Sequence, residues 1–138
     1  MDKETLKQYR GLLKEIKVQD RALDKLYDKR AGMPVMMDKV SASNQEFPYE
    51  PRHVSVEAYD PEIKESIDRR IEIKTDLRKR AERTATEIEE YIARIDDPTI
   101  RCIFELVYIE GKTHREAAEV TGYSRQAVTK ILNNTLKE

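Results

Sequence analysis

Two stretches of this chain repeat their apolar residues in alternating steps of three and four, the spacing that lays one stripe along a helix. In the first, Leu6, Tyr9, Leu13, Ile16, Leu23 and Tyr27 keep the step, Asp20 interrupts it, and the pattern ends near Gly32 and Pro34. The second opens at Asp60-Pro61, an N-cap followed by proline at the first helical position. It continues through Ile63, Ile67, Arg70, Lys74, Leu77, Ala81, Thr84, Ile88, Tyr91 and Ile95. A heptad seam of this length predicts a coiled coil, in which polar Arg70, Lys74 and Thr84 weaken pairing but help to fix its register. Two long helices on either side of a connector predict an antiparallel hairpin, with Asp20 meeting Arg70 or Lys74 across the seam at some cost in desolvation. Pairing between chains is the alternative. An intrachain hairpin whose remaining face forms a homodimer combines the two.

The connector, residues 32–60, breaks the pattern with Pro34, Pro48 and Pro51 and with Ser41, Ser43 and Asn44. It also carries Val35, Met36, Met37, Val40, Phe47, Tyr49, Val54, Val56 and Tyr59. So many apolar side chains are expected to pack on a helix or a partner. A loop covering the hairpin outweighs a polymerase-contacting element as the reading of this segment. Asp96-Asp97-Pro98 then divides the chain into a domain at 1–95 and another at 96–138. Asp97 caps a helix with Pro98 at its first position, Ile100, Ile103, Phe104, Val107 and Tyr108 form its apolar face, and Gly111 ends it.

The pattern changes again after Lys112, where THREAAEVTGYSRQAVTKIL reads as two short helices and a tight turn. Thr113 and Glu116 have the spacing of a capping box. Ala117 and Ala118 are small enough for helices to cross closely, and Val120 is expected to give the helix an apolar contact. Gly122 stands where the chain must turn through a left-handed conformation. Ser124 is a preferred N-cap for the last helix, which carries Val128, Ile131 and Leu132 on one stripe. The spacing is that of a helix-turn-helix, with the last helix spanning 124–137.

The opposite face of that helix holds Arg125, Gln126, Thr129, Lys130 and Asn133. Arginine can grip guanine O6 and N7 with two bonds, and glutamine or asparagine can do the same for adenine N6 and N7. From Gly122 to Lys137 the charged residues are Arg125, Lys130 and Lys137, with no acid among them. A polar outer face is the ordinary property of any amphipathic helix. Here the alanines, glycine and serine at their required offsets favour insertion into a major groove.

Residues 96–136, DDPTIRCIFELVYIEGKTHREAAEVTGYSRQAVTKILNNTL, resemble region 4 of bacterial sigma factors and the C-terminal domains of small phage-encoded transcription regulators of the ArpU and RinA type. The matching residues are Glu116, Ala117, Ala118, Gly122, Tyr123, Ser124 and Val128, with Tyr123 larger than the usual Val or Ile of the turn. The segment Ser41 to Pro61 also resembles the connecting region of prophage proteins from Gram-positive bacteria. The resemblance implies a sequence-specific DNA-binding transcription regulator, with Arg125, Gln126, Thr129, Lys130 and Asn133 reading bases and Thr113, Arg115, Ser124 and Asn134 nearer to phosphates. Double-stranded DNA and a second copy of the chain are the expected partners, and RNA polymerase is a further candidate. The expected location is the bacterial host cytoplasm, at the nucleoid. A small terminase-like DNA-packaging subunit and a polymerase-binding adaptor without DNA binding are the alternatives.

Composition bears on this picture at several points. The chain of 138 residues is 38% hydrophobic and 38% charged with no tryptophan, which suits an all-α protein of long helices with narrow apolar seams better than one broad core. The expected architecture is a long N-terminal helical hairpin or coiled coil followed by a three-helix C-terminal domain. The formal charge of −1 is low for a DNA binder and points to dimerisation as the source of affinity. Enzyme chemistry, metals and cofactors find no support, because His53 and His114 have no second ligand at metal spacing and the glycines are scattered singly. Cys102, the lone cysteine, sits among Ile100, Ile103 and Phe104 and is expected to be a buried thiol. Neither an eighteen-residue apolar run nor a signal segment is present, so a membrane partner is not expected.

Overall fold

The structure, a computed structural model, describes residues 1–33 and 60–137. Helix accounts for 85% of the described residues and none of them lies in a strand, so the protein is all-α. Helix α1 is Lys3–Lys7, α2 Tyr9–Ala31, α3 Pro61–Ala93 and α4 Pro98–Phe104. The last continues as a π-helical turn, Glu105–Ile109, and α5 (His114–Thr121) and α6 (Arg125–Lys137) follow. The expected packing of the connector falls mostly on residues 34–59, which lie outside the described residues, as does His53.

Carboxylate caps start three of these helices, at Asp60 and Asp97 where the sequence predicts and at Asp2 where it makes no prediction. Asp2 accepts from the Thr5 amide at 2.8 Å to open α1. Asp60 accepts from the Glu62 amide at 2.9 Å with Pro61 as the first residue of α3. Asp97 accepts from the Thr99 amide at 2.8 Å ahead of Pro98. In each case the carboxylate satisfies an amide that has no partner within the helix.

The chain divides into two compact units, residues 17–78 and residues 1–16 with 79–138. In the first, Leu23 and Leu26 of α2 bury themselves against Ile67 and Ile71 of α3. Arg78 donates to Asp20, and Arg30, ten positions on from Asp20, lies 3.4 Å from Asp68, ten positions back from Arg78. These pairings make the two segments antiparallel and fix their register. Asp20 thus meets Arg78, and not Arg70 or Lys74 as expected.

The seam also differs in phase from the expected one. Along α3 the buried residues are Ile67, Ile71, Ala81, Ala85, Ile88 and Ile92, while Ile63 and Arg70 are exposed. The sequence offers two adjacent candidates in several heptads. The structure takes Ile71 over Arg70, Ala85 over Thr84 and Ile92 over Tyr91, because burying an unpaired guanidinium or hydroxyl carries a desolvation penalty that an aliphatic side chain avoids. On α2 the same shift replaces Leu13 and Tyr27, both exposed, by Leu12 and Leu26, and the buried polar residue is Gln19 instead of Asp20.

In the second unit, Leu6, Tyr9, Ala85, Ile88 and Ile92 share one core with Ile103, Phe104, Tyr108, Ala117, Ala118, Val128 and Leu132. Phe104 is its centre, with the rings of Tyr108 at 5.6 Å and Tyr91 at 6.4 Å between centroids. The sequence places a domain boundary at 95/96, whereas this core runs across that position. Tyr9 donates its hydroxyl to Glu89 at 2.7 Å, and burial with this bond pushes its pKa up to about 12. Arg10 donates to the carbonyls of Ile109 at 3.2 Å and Glu110 at 2.9 Å, satisfying acceptors at the end of the π turn.

Candidate nucleic-acid interface

The polar face of α6 is built by what stands before it. Thr113 Oγ1 accepts from the Glu116 amide at 3.1 Å, and Glu116 Oε1 accepts from the Thr113 amide at 3.2 Å, completing the capping box at the start of α5. The Thr113 amide, and then the Thr113 hydroxyl donating to the same Oε1 at 3.1 Å, hold the Glu116 carboxyl below its ordinary pKa. Gly122 ends α5 at φ 80°, its amide donating to Ala118 O at 2.9 Å. Ser124 Oγ then accepts from the Ala127 amide at 3.1 Å and starts α6. Ala117, Ala118, Val128 and Leu132 are buried between the two helices and their support.

Burial of Val128 and Leu132 turns a defined set of side chains outward. Arg125, Gln126, Lys130 and Asn134 are exposed, Thr129 and Asn133 are half-buried, and these six line an open depression of about 480 Å³. All six come from the predicted set. The remaining three, Thr113, Arg115 and Ser124, are exposed at the starts of α5 and α6. The hydroxyls of Thr113 and Ser124 already serve as helix caps, leaving Arg115 as the uncommitted donor of the three.

Two members of the outward face are held by His114 and Lys3, which stand outside the predicted set of site residues. His114 Nδ1 lies 2.7 Å from Thr129 Oγ1, which also donates to Arg125 O at 3.1 Å. The Thr129 hydroxyl therefore orients the helix surface more than it offers itself to a ligand. Lys3 Nζ donates to Asn133 Oδ1 at 3.5 Å, bringing the start of the chain to a residue 130 positions away. No local motif could have announced this contact. The one sequence signal was the excess of nine basic over six acidic residues between Asp2 and Arg30.

The electrostatics of the face are cationic. Partial burial, then the charges of Lys3 and Arg125, hold the His114 imidazole below its ordinary pKa of 6.5. Such a surface offers forked and linear donors, three side-chain amides and positive charge, a set suited to binding an anionic polymer with readable edges.

Two expectations for single residues are corrected. Val120 is 69% exposed and gives α5 no buried contact, because Ala117, Ala118 and the half-buried Thr121 occupy the inner face. Cys102 is exposed: Ile103, Phe104 and Tyr108 define the buried side of their helix, and a residue two positions before Phe104 points roughly 200° away from it. Among the described residues no group of three or more His, Cys, Asp or Glu side chains could hold a metal ion, and no helix is long and apolar enough to cross a membrane.

No protein-family model matches the chain, and no curated protein or solved structure matches it.

Proposed function

We propose that the protein is a sequence-specific DNA-binding transcription regulator of the phage or prophage type, with α6 as the recognition helix in a major groove. The observation that carries this reading is the joint placement of Arg125, Gln126, Lys130 and Asn134 on one open face of a helix anchored by Val128 and Leu132. The left-handed Gly122 and the capped start at Ser124 give α5 and α6 the short turn of a helix-turn-helix, in which the N-terminal residues of the second helix reach base edges. Arg125 and Gln126 occupy that end.

In this reading α2 and α3 form an intrachain antiparallel hairpin, and the C-terminal helices form a region 4-like domain with α4 as their support. The protein acts as a homodimer in the bacterial cytoplasm at the nucleoid. Val18, Tyr27, Ile63 and Ile73 are large apolar side chains left exposed on the long helices, and they give a second copy something to bury. RNA polymerase is a further proposed partner.

Selection of bound duplexes from a random DNA pool tests the proposal in one step. A recovered consensus, palindromic for a dimer, supports it. Recovery of unenriched sequence, or no salt-dependent binding, would sink it.

A further inference from the structure

A second depression, of about 310 Å³, lies in the same compact unit as the recognition face and is lined by Lys3, Lys7, Arg10 and His114 over a floor that includes Leu6 and Tyr108. No carboxylate lines it. Lys3 and Lys7 stand four residues apart on α1, one turn of helix, so their ammonium groups project from the same side. Among the described residues neither has an acidic partner at ion-pair distance. Arg10 is committed to the carbonyls of Ile109 and Glu110, which holds its guanidinium at the edge of the depression as a fixed charge. The bond from Lys3 to Asn133 joins this basic surface to α6.

Resting on the proposed DNA reading, we infer that α1 is a phosphate clamp: Lys3 and Lys7 hold the sugar–phosphate backbone beside the groove that α6 enters. Charge complementarity selects the occupant, since unpaired lysines in an acid-free depression next to a base-reading face meet the phosphodiester strand of the same duplex. The clamp supplies the net positive charge that residues 97–138 lack, where basic and acidic residues number six each. It contributes affinity without sequence information, because phosphates are the same at every base pair.

Each phosphate neutralised on duplex DNA contributes about 0.9 to the slope of log affinity against log salt concentration. Anisotropy titrations of the full-length protein with a labelled random-sequence duplex and with a selected site, over a series of KCl concentrations, read that slope directly. The double variant K3Q/K7Q is expected to lower its magnitude by about 1.8 on both duplexes and to weaken both by the same factor, with K3R/K7R restoring it. Lys7→Gln alone, which leaves the Asn133 contact in place, should lower the slope by about 0.9. A wild-type slope in K3Q/K7Q, or a loss confined to the selected site, overturns the clamp while leaving the recognition helix in place. Wild-type protein without salt-dependent binding overturns both.

Discussion

His114 Nδ1, on the first residue of α5, sits 2.7 Å from the hydroxyl of Thr129, on the second turn of α6. The contact locks the two helices to each other at the end where DNA bases would be read. Burial together with Lys3 and Arg125 depresses the His114 pKa, so the native state binds fewer protons than the unfolded chain just below pH 6.5. The resulting stability is present in full above that ordinary value and is lost as pH falls through the lower native one. Thermal melts from about pH 7.5 to 5 should show this decline, and His114→Gln should abolish it. The further loss from Glu116 and Asp2, whose pKa values fall below the ordinary 4.5 and 3.8, comes at lower pH and should survive in the variant.

Gly111 and Gly122 both adopt positive φ, at 75° and 80°, yet they should respond differently to alanine. Either substitution forces an L-residue into the left-handed region, at about 1 to 2 kcal/mol. At Gly122 a new Cβ meets nothing within 4 Å, whereas at Gly111 it lies 2.6 Å from Arg10 Cδ. Arg10 must then swing away and release two carbonyls, adding about 1 kcal/mol. Denaturant unfolding should rank Gly111→Ala as the more damaging change. In an Arg10→Ala background the two glycine substitutions should become equivalent; a difference that persists there would rule out the Arg10 contact as its cause.

Gln19 is 7% exposed and its Oε1 has no hydrogen-bond partner among the described residues. A buried acceptor left without a donor costs about 1 to 3 kcal/mol, so Gln19→Leu should stabilise the protein by about 1 kcal/mol or more. Stability lowered by Gln19→Leu would mean that the amide makes a contact important to folding.

At the recognition face, Arg125→Ala is expected to cost about 1 to 3 kcal/mol on a selected site and to relax base preference at one position. Lys130→Ala should weaken selected and random duplexes more evenly. Competition titrations with both duplexes separate the two outcomes, and equal loss on both for Arg125→Ala contradicts a base-reading role.

The local parts of this structure were legible because they obey rules only a few residues long. The Thr113–Glu116 box, the Gly122 turn and the caps at Asp60, Asp97 and Ser124 depend on neighbours three or four positions away. The seam was misread where adjacent positions such as Arg70 and Ile71 both fitted a helical stripe, and the choice fell to the facing residues Leu23 and Leu26. Cys102 and Val120 misled for a related reason: an apolar neighbourhood in sequence says little about angle around a helix. Lys3 beside Asn133 was beyond reach, because only the assembled core of Leu6, Tyr9 and Val128 brings the first turn of the chain to the last helix.

The π turn at Glu105–Ile109, closed by the Glu110 amide on Glu105 O at 2.9 Å, holds one residue more than an α turn would. A helix carrying such a turn has absorbed the equivalent of a single-codon insertion. Deleting one residue from that stretch should restore regular winding and leave the helix before and after it facing nearly as they do now. Ile103 would then stand four positions from Tyr108, about 400° around a regular helix and so on the same side, and the core that both serve should accept the shorter chain.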